Sequence, residues 1–221
     1  MYKGVNASEG IGIGTVAVAV EPDLSFEAHT VEDAAAEKER YAKALDVFCQ
    51  KTEAQAEAMK VSVGEHEAEI MIGHIALAQD PGMSDQINQA IDAGTCAEQA
   101  LVDTTTMFEN MFLSMDDEMF RLRAADIADI RTGLLAELLG REVVDLSVLP
   151  AGTVICVHDL TPSMTATIDK KNVAAIVTET GGRTSHSAII ARALEIPAVL
   201  SVENSCTELT NGMTVIVDGS K

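Results

Sequence analysis

The chain contains 221 residues, of which 47% are hydrophobic and 23% charged, so it is long enough and apolar enough to bury a core. Lys and Arg total 15 against 35 Asp and Glu, which gives a formal net charge of −20. This acidic balance argues against nonspecific nucleic-acid binding and against attraction to anionic membranes, because both need a basic surface. It indicates either simple solubility or the steering of a basic partner protein.

The cysteines and the N-terminus indicate a reducing compartment. Cys49, Cys96, Cys156 and Cys206 are widely spaced and form no C-x-x-C pair, so neither a zinc site nor a compact disulfide framework is predicted. We expect free, mostly buried thiols. The start, MYKGVNASEG, lacks the apolar segment of a signal peptide, and no stretch approaches 18 apolar residues. These features predict a cytoplasmic protein without a membrane span.

The first two thirds of the chain change from strand-like to helical. Residues 4–20 are punctuated by glycines and end in a Val-rich run, which predicts a strand. Residues 31–140 carry apolar side chains at helical spacing, with Glu and Lys between them. Breaks are predicted at Gly64, at Asp80-Pro81-Gly82, at Asp92-Ala93-Gly94 and at Gly140. The pattern favours a small bundle of paired helices.

The last third alternates between short strands and helices. β-branched runs predict strands at Thr153–Val157, Val173–Thr178, Ala198–Val202 and Thr214–Val217. Helical stretches lie between them near 163–169 and 186–195, which indicates an α/β layer structure. The N-terminal strand has no strand-like neighbour before residue 150, so we expect it to pair with this distant sheet. The helical block, residues 21–145, is then an insertion into an α/β domain formed by residues 1–20 and 146–221.

The segment GGRTSHSAIIAR, residues 181–192, follows an apolar strand and opens a helix. Gly181 and Gly182 form a backbone turn, and Thr184 or Ser185 is a suitable N-cap. His186 then lies in the first helical turn, where unpaired N–H groups and a partial positive charge favour an anion such as phosphate. Two arginines could add charge-assisted contacts to phosphate oxygens: Arg183 and Arg192.

A histidine at this place suits covalent phosphoryl relay. The positive end of the helix disfavours imidazolium, and a neutral imidazole has a lone pair that can attack phosphorus. The simpler alternative is that His186 caps the helix or packs for structure. The residues alone leave both readings open. For the two arginines two roles are open: support of the phosphate or the loop, and plain surface or structural ion pairs. For His29, His66 and His158 we expect solvated or structurally satisfied side chains.

A resemblance to a known family adds to this reading. GGRTSHSAIIARALEIPAV resembles the phosphohistidine motif of phosphoenolpyruvate-using enzymes, a group that includes Enzyme I of the sugar phosphotransferase system, phosphoenolpyruvate synthase and pyruvate phosphate dikinase. GVNASEGIGIG, GHIALAQD, RAADIADI and DLTPSMTA resemble successive segments of Enzyme I, in its order. The synthase and the dikinase have no helical insertion at this place, so the resemblance favours the Enzyme I family over nearly the whole chain.

The resemblance implies a fold and an activity. The fold would be a swivelling-type α/β phosphohistidine domain with an inserted all-α helical-bundle subdomain. His186 would accept a phosphoryl group, at Nε2 by family analogy, from phosphoenolpyruvate and pass it to a histidine of the carrier protein HPr for sugar uptake. The supporting site residues would be Thr165, Gly181, Gly182, Arg183, Thr184, Ser185 and Arg192. The HPr-docking face would include Glu65, Ile70, His74, Leu77, Asp80, Arg123 and Asp126.

Enzyme I is about twice this length or more, and its C-terminal barrel binds phosphoenolpyruvate and Mg²⁺ and forms the dimer. By that resemblance we expect the chain to be an N-terminal fragment and a monomer that binds no metal or cofactor itself. It would exchange phosphoryl with phospho-HPr and would not label itself from phosphoenolpyruvate. Two alternatives stay open: a paralogue in a nitrogen-related or dihydroxyacetone-kinase relay, and a noncatalytic regulatory binding module.

Overall fold

The structure, a computed structural model, describes residues 1–220, apart from the side chains of His66, Glu67, Glu118 and Leu122. It divides into two compact units. The first, called here the α/β unit, comprises Met1–Glu21, Ala58–Ala68 and Val144–Lys221. The second, the helical unit, comprises Pro22–Glu57 and Glu69–Val143. Along the described chain, no helix is long and apolar enough to cross a membrane.

The α/β unit is built on a six-stranded mixed sheet. Its strands run in the order β1-β5-β4-β3-β2-β6. Their bounds are Val5–Ser8 (β1), Ile11–Val18 (β2), Thr153–Val157 (β3), Val173–Thr178 (β4), Ala198–Leu200 (β5) and Thr214–Asp218 (β6). The four inner strands are parallel, and the two edge strands are antiparallel to their neighbours.

The N-terminal strand pairs with the distant sheet, as the sequence predicts. β2 lies between β3 and β6, with Thr15 opposite Thr153 and Ile13 opposite Ile216. More than 130 residues separate the first pair along the chain. The helical block is therefore an insertion between β2 and β3. Buried β-branched and small residues form the core on the sheet, among them Val16, Val154, Ala175 and Val177.

Five helices lie between β2 and β3. They are α1 (Ala34–Ser62), α2 (Glu65–Ala78), α3 (Pro81–Asp92), α4 (Ala97–Leu113) and α5 (Glu118–Leu139). Three short helices follow in the α/β unit: α6 (Pro162–Thr165), α7 (His186–Ala193) and α8 (Ser205–Glu208). The helices α6 and α7 are the crossovers that connect the parallel strands β3, β4 and β5.

Acidic side chains cap the first turns of three inserted helices, α3, α4 and α5. Asp80 and Asp117 accept hydrogen bonds from first-turn N–H groups of α3 and α5, so each satisfies a backbone donor that the helix leaves open. The N-cap of α4, Cys96, makes no side-chain cap. Instead, Glu37 of α1 accepts from the backbone N–H of Ala97 at 2.8 Å. The core of the helical unit is mostly aliphatic, with Ile87, Leu101, Ile127 and Leu134 fully buried, and it also includes the buried rings of Tyr41 and Phe48.

The predicted fold class is confirmed, and most helix breaks fall where the sequence places them. One break is missing from the sequence reading: α4 ends at Leu113 and α5 begins at Glu118. The predicted helix at 163–169 is shorter, ending at Thr165. The functional division into residues 1–20 plus 146–221 and residues 21–145 stays a prediction.

Gly12 of β2 tests the packing of the sheet. A Cβ at this position would lie 2.1 Å from the carbonyl oxygen of Ala174 and 2.7 Å from the Cβ of Ala175. Because the obstacle is backbone, it cannot move aside cheaply. We expect Gly12→Ala to lower the free energy of unfolding by about 1–3 kcal/mol, measured by urea denaturation. At Gly182 an added Cβ meets nothing within 4 Å, so Gly182→Ala is the matched control. Equal urea midpoints for Gly12→Ala and Gly182→Ala would contradict the close approach of Gly12 to the backbone of Ala174.

Candidate phosphoryl-accepting site

The motif residues lie where two crossover loops leave the parallel strands. Residues 158–161 follow β3 and lead into α6, and residues 179–185 follow β4 and lead into α7. Both loops therefore meet at the carboxyl edge of the sheet, which is where α/β folds bind ligands. The second loop, residues 179–185, is called here the His loop because it ends at His186.

The two glycines of the His loop have different roles. Gly181 has a φ of +101°, a conformation that other residues adopt only with strain. A Cβ there would also press on Ser185 Oγ at 3.2 Å and Leu200 Cδ1 at 3.3 Å. Around Gly182 a Cβ would meet nothing within 4 Å, so this glycine leaves open space beside the helix start. Gly181 therefore shapes the turn, and Gly182 lies beside open space.

Ser185 is the N-cap of α7, which settles the choice between Thr184 and Ser185 that the sequence leaves open. Its Oγ accepts from the N–H of Ala188 and donates to the carbonyl of Gly182 at 2.8 Å. His186 is consequently the first helical residue. It is half-buried, and its Nε2 atom is shielded from solvent. Thr184 is exposed.

Ser187 joins the two loops. Its side chain is buried, and its hydroxyl lies 3.2 Å from both Asp159 Oδ1 and the carbonyl oxygen of Leu160. The start of α7 is thereby held against the loop that precedes α6. Thr165, at the end of α6, is also buried and donates to the carbonyl of Pro162 at 2.7 Å. The supporting role at His186 that the resemblance implies for Thr165 stays a prediction.

Arg192 anchors the His loop to the sheet edge. Its Nη1 donates to the carbonyl of Ala7 at 3.0 Å, and its Nη2 donates to the carbonyl of Arg183 at 3.2 Å. Of the two roles the sequence leaves open, this geometry favours loop support. The side chain of Arg183 is exposed, and both arginines line a cleft of about 560 Å³ that also contains Glu9 and Glu195.

Glu179 ties the other end of the His loop. Its Oε2 pairs with His158 Nδ1 at 2.9 Å, and its Oε1 accepts from the backbone N–H of Cys206 at 2.9 Å. These contacts lower the pKa of Glu179, chiefly through His158. The hydrogen bond to Glu179 in turn raises the pKa of His158, to which Glu21 and Asp159 add smaller electrostatic contributions. The expectation of a structurally satisfied His158 fits this pair.

The predicted docking residues differ in exposure. Glu65 is exposed and pairs with Lys60 at 2.8 Å. In the helical unit, Ile70 and Leu77 are half-buried, whereas Asp80 and Arg123 are exposed.

His74 and Asp126 are both buried. Their Nε2 and Oδ1 atoms lie 3.4 Å apart, and Asp129 lies 3.8 Å from His74 Nδ1 on the other side. This burial favours a supporting role over direct contact with a partner. Partner contact by the whole set stays a prediction. The side chain of His66 lies outside the described residues.

The sequence reasoning missed the residues that hold the site in place. Ser187, Asp159 and Glu179 are ordinary polar residues in sequence, and nothing in their spacing marks the contacts that they make. Ser187 offered one signal: a small polar residue one position after the motif histidine faces the fold interior when the helix starts at His186. Across the described residues, no group of three or more His, Cys, Asp or Glu side chains could hold a metal ion.

Two family models match the chain. The model described as "PEP-utilising enzyme, N-terminal" matches residues 3–123, and the model described as "PEP-utilising enzyme, mobile domain" matches residues 149–221. The first covers more than half of the chain, and the second contains the whole His loop. Fold and site thus place the chain in the family of phosphoenolpyruvate-utilising enzymes, with the family's mobile domain at residues 149–221.

Curated relatives narrow the family. The phosphoenolpyruvate-protein phosphotransferase of Listeria innocua is 42% identical over 218 residues, and that of Bacillus subtilis is 39% identical over 218 residues. Each match covers 98% of this chain but only 38% of the relative. The chain therefore spans less than two fifths of the length of these enzymes.

Solved structures agree with that assignment. The NMR solution structure of Enzyme I (nEIt) is 35% identical, covers 100% of this chain and 90% of its own, and superposes with a TM-score of 0.85. The N-terminal domain of Enzyme 1–Nitrogen superposes with a TM-score of 0.66 at 22% identity, which shows the fold alone. The chain belongs to the Enzyme I family and corresponds to its N-terminal portion.

The His158–Glu179 pair predicts a pH dependence of stability. Because the pKa of His158 is raised above 6.5, its contribution is complete below about pH 6.5 and is lost as pH rises through the folded-state pKa. Because the pKa of Glu179 is lowered, its contribution is lost as pH falls below about 4.5. Thermal unfolding should show wild type losing more stability than His158→Gln between about pH 6 and pH 8, by no more than about 1 kcal/mol for so exposed a pair. Identical profiles of stability against pH for wild type and His158→Gln would contradict the interaction between His158 and Glu179.

Proposed function

We propose that the chain is the phosphoryl-carrying part of a phosphoenolpyruvate-protein phosphotransferase. In this proposal His186 accepts a phosphoryl group that originates from phosphoenolpyruvate and passes it to a histidine of the carrier protein HPr. The observation that carries the proposal is the position of His186 at the first residue of α7, directly after a glycine turn in the mobile domain.

The helix supplies the electrostatics of the proposed reaction. A histidine at the N-terminus of α7 lies near the partial positive charge of the helix, which disfavours imidazolium and favours a neutral ring. A neutral ring offers the lone pair of Nε2 to phosphorus. The P–O bond to the donor breaks as the N–P bond forms, and the N–P bond breaks when the carrier's histidine attacks. The same positive charge stabilises the phosphoryl oxygens in between.

The fold supports precise placement of the ring. Ser185 caps the helix, Ser187 ties its first turn to the loop before α6, and Arg192 and Glu179 fasten the His loop at both ends. Because Nε2 is shielded in this arrangement, the ring must rotate before it can receive a phosphoryl group at this atom. The open space above Gly182 gives the phosphoryl group a place to lie.

The proposal assigns different tasks to the two predicted domains. Residues 1–20 plus 146–221 would carry the phosphoryl group, and residues 21–145 would dock HPr. Exposed charge at Asp80 and Arg123 and the half-buried Ile70 and Leu77 give the docking helices a mixed surface. The net charge of −20 favours a basic carrier. The four free cysteines suit a reducing cytoplasm.

The use of phosphoenolpyruvate is proposed for the longer relatives, of which this chain covers 38%. Mg²⁺, expected for the longer enzyme, has no set of three ligands among the described residues. We expect the 221-residue chain to exchange phosphoryl with phospho-HPr but to stay unlabelled by phosphoenolpyruvate alone.

Phosphoryl transfer from ³²P-labelled phospho-HPr tests the proposal. We expect acid-labile, alkali-stable label on the wild type and none on His186→Ala, because the nucleophile is removed. His29→Ala is the control, since His29 is an exposed histidine of the helical unit, and it should label like wild type. Label that persists on a folded His186→Ala would contradict the proposed role of His186. If the folded wild type accepts no label from phospho-HPr, HPr is excluded as its carrier. A different phosphorelay or a regulatory binding module would then be favoured.

A pair of arginines tests the docking face. Arg123 and Arg121 are both exposed in the first turns of α5 and point in different directions, two residues apart. We expect Arg123→Ala to raise the KM for phospho-HPr several-fold with kcat nearly unchanged, since it lies far in sequence from the His loop and acts on binding. Arg121→Ala should leave both constants near wild type. Equal effects of the two variants would contradict docking at Arg123.

A further inference from the structure

Two cysteines of the α/β unit lie side by side without being bonded. Cys156 is a fully buried residue of β3, and Cys206 is a half-buried residue of α8, a helix that packs on β3 and β4. Their Sγ atoms are 3.8 Å apart, although 50 residues separate them along the chain. The other two cysteines, Cys49 and Cys96, belong to the helical unit.

We propose that Cys156 and Cys206 form a redox modification site. A low-molecular-weight disulfide oxidises the two thiols to a reversible intramolecular disulfide, which alters the anchoring of the His loop. The sulfur atoms need to approach by less than 2 Å, since a disulfide bond is about 2.0 Å long. A short helix of four residues at the sheet surface, α8, supplies the partner that can shift.

The proposed chemistry is thiol–disulfide exchange in two steps. The thiolate of Cys206, the more accessible sulfur, attacks the oxidant's disulfide and releases one small thiolate. The thiolate of Cys156 then attacks the Cys206 sulfur of this mixed disulfide and releases the second. Two protein thiols are oxidised, the oxidant is reduced to two thiols, and the protons of Cys156 and Cys206 end on the released thiolates.

The surroundings make the pair slow rather than reactive. Burial raises the pKa of the Cys206 thiol to about 12, with the neighbouring Cys156 adding to the effect. Burial likewise raises the pKa of Cys156, and the Glu179 carboxylate acts in the same direction on both. Because only the thiolate attacks, oxidation should quicken about tenfold per pH unit between about pH 7 and pH 9.

One hydrogen bond connects the pair to the His loop. The backbone N–H of Cys206 donates to Glu179 Oε1 at 2.9 Å, and Glu179 is the first residue of that loop. Drawing Cys206 towards β3 moves this donor and alters the anchoring of the segment that ends at His186. The effect on phosphoryl transfer rests on the proposed function, whereas formation of the disulfide does not.

Peptide mass spectrometry tests the disulfide directly. Each cysteine lies on a different tryptic peptide, with Cys156 in residues 142–170 and Cys206 in residues 193–221. After incubation with glutathione disulfide and alkylation of the remaining thiols, we expect these two peptides to be linked and dithiothreitol to separate them. Cys206→Ser should abolish the link, because one of the two sulfur atoms is gone. Cys96→Ser is the control and should retain the link, since serine is a good N-cap for α4 at position 96 and the variant should fold. Glutathionylated Cys206 without the linked peptide, or no oxidation at all, would overturn the proposal.

Phosphoryl transfer from phospho-HPr tests the coupling. We expect the oxidised wild type to accept label several-fold more slowly than the reduced form, with full recovery after dithiothreitol and no response in Cys206→Ser. A linked peptide with unchanged transfer rates would overturn the coupling to the His loop. A reduced chain that accepts no label would overturn the proposed function and the coupling with it, while the linked peptide would still support the disulfide.

Discussion

The pairing of β2 with both β3 and β6 is the constraint on which the rest of the structure depends. It closes the sheet across a long insertion, because Thr15 lies opposite Thr153 and Ile13 opposite Ile216. Closing so long a loop costs entropy that only the burial of the strands can offset. Once β2 is in place, β3, β4 and β5 continue as parallel neighbours. Their crossover loops must then emerge at one edge, and the motif histidine follows one of them.

From this edge the site is assembled by short-range contacts between loops. Hydrogen bonds hold both ends of the His loop. Glu179 contacts His158 and the backbone of α8, and Arg192 donates to the carbonyls of Ala7 and Arg183. Ser187 adds a buried link to the loop before α6. The histidine itself thus stands on a rigid support, while the space above Gly182 stays open. The phosphoryl transfer proposed for His186 would benefit from such positioning, since misplacement of the nucleophile is costly in rate.

Features with a local physical cause could be predicted from the sequence. Periodicity placed the helices, β-branched runs placed the strands, and Gly181 with Ser185 marked the turn and the cap of α7. The missed break between α4 and α5 has an equally physical reason. Its cap, Asp117, stands in a run of acidic residues, and the segment has no Gly or Pro, the residues that mark most of the other breaks. Long-range contacts such as Ser187 with Asp159 depend on how two loops meet, and no local pattern encodes that meeting.

The two units also differ in how they satisfy buried polar groups, and this bears on what each can do. In the helical unit, Arg40 binds both Glu37 and Glu98, at 2.6 Å and 2.7 Å, and Glu37 caps α4, so one ionic network joins α1 and α4. Such a network holds the two helices in register, which would keep the proposed docking surface in one shape. In the α/β unit, the His loop is held by separate hydrogen bonds: the side chain of Arg192 donates to the carbonyls of Ala7 and Arg183, and the backbone N–H of Cys206 donates to Glu179. Each contributes only about 1 kcal/mol, and together they hold the loop in place. In the proposed function, a fixed docking surface and a firmly held histidine suit a phosphoryl relay between two different partners, because the same histidine must meet one partner after the other.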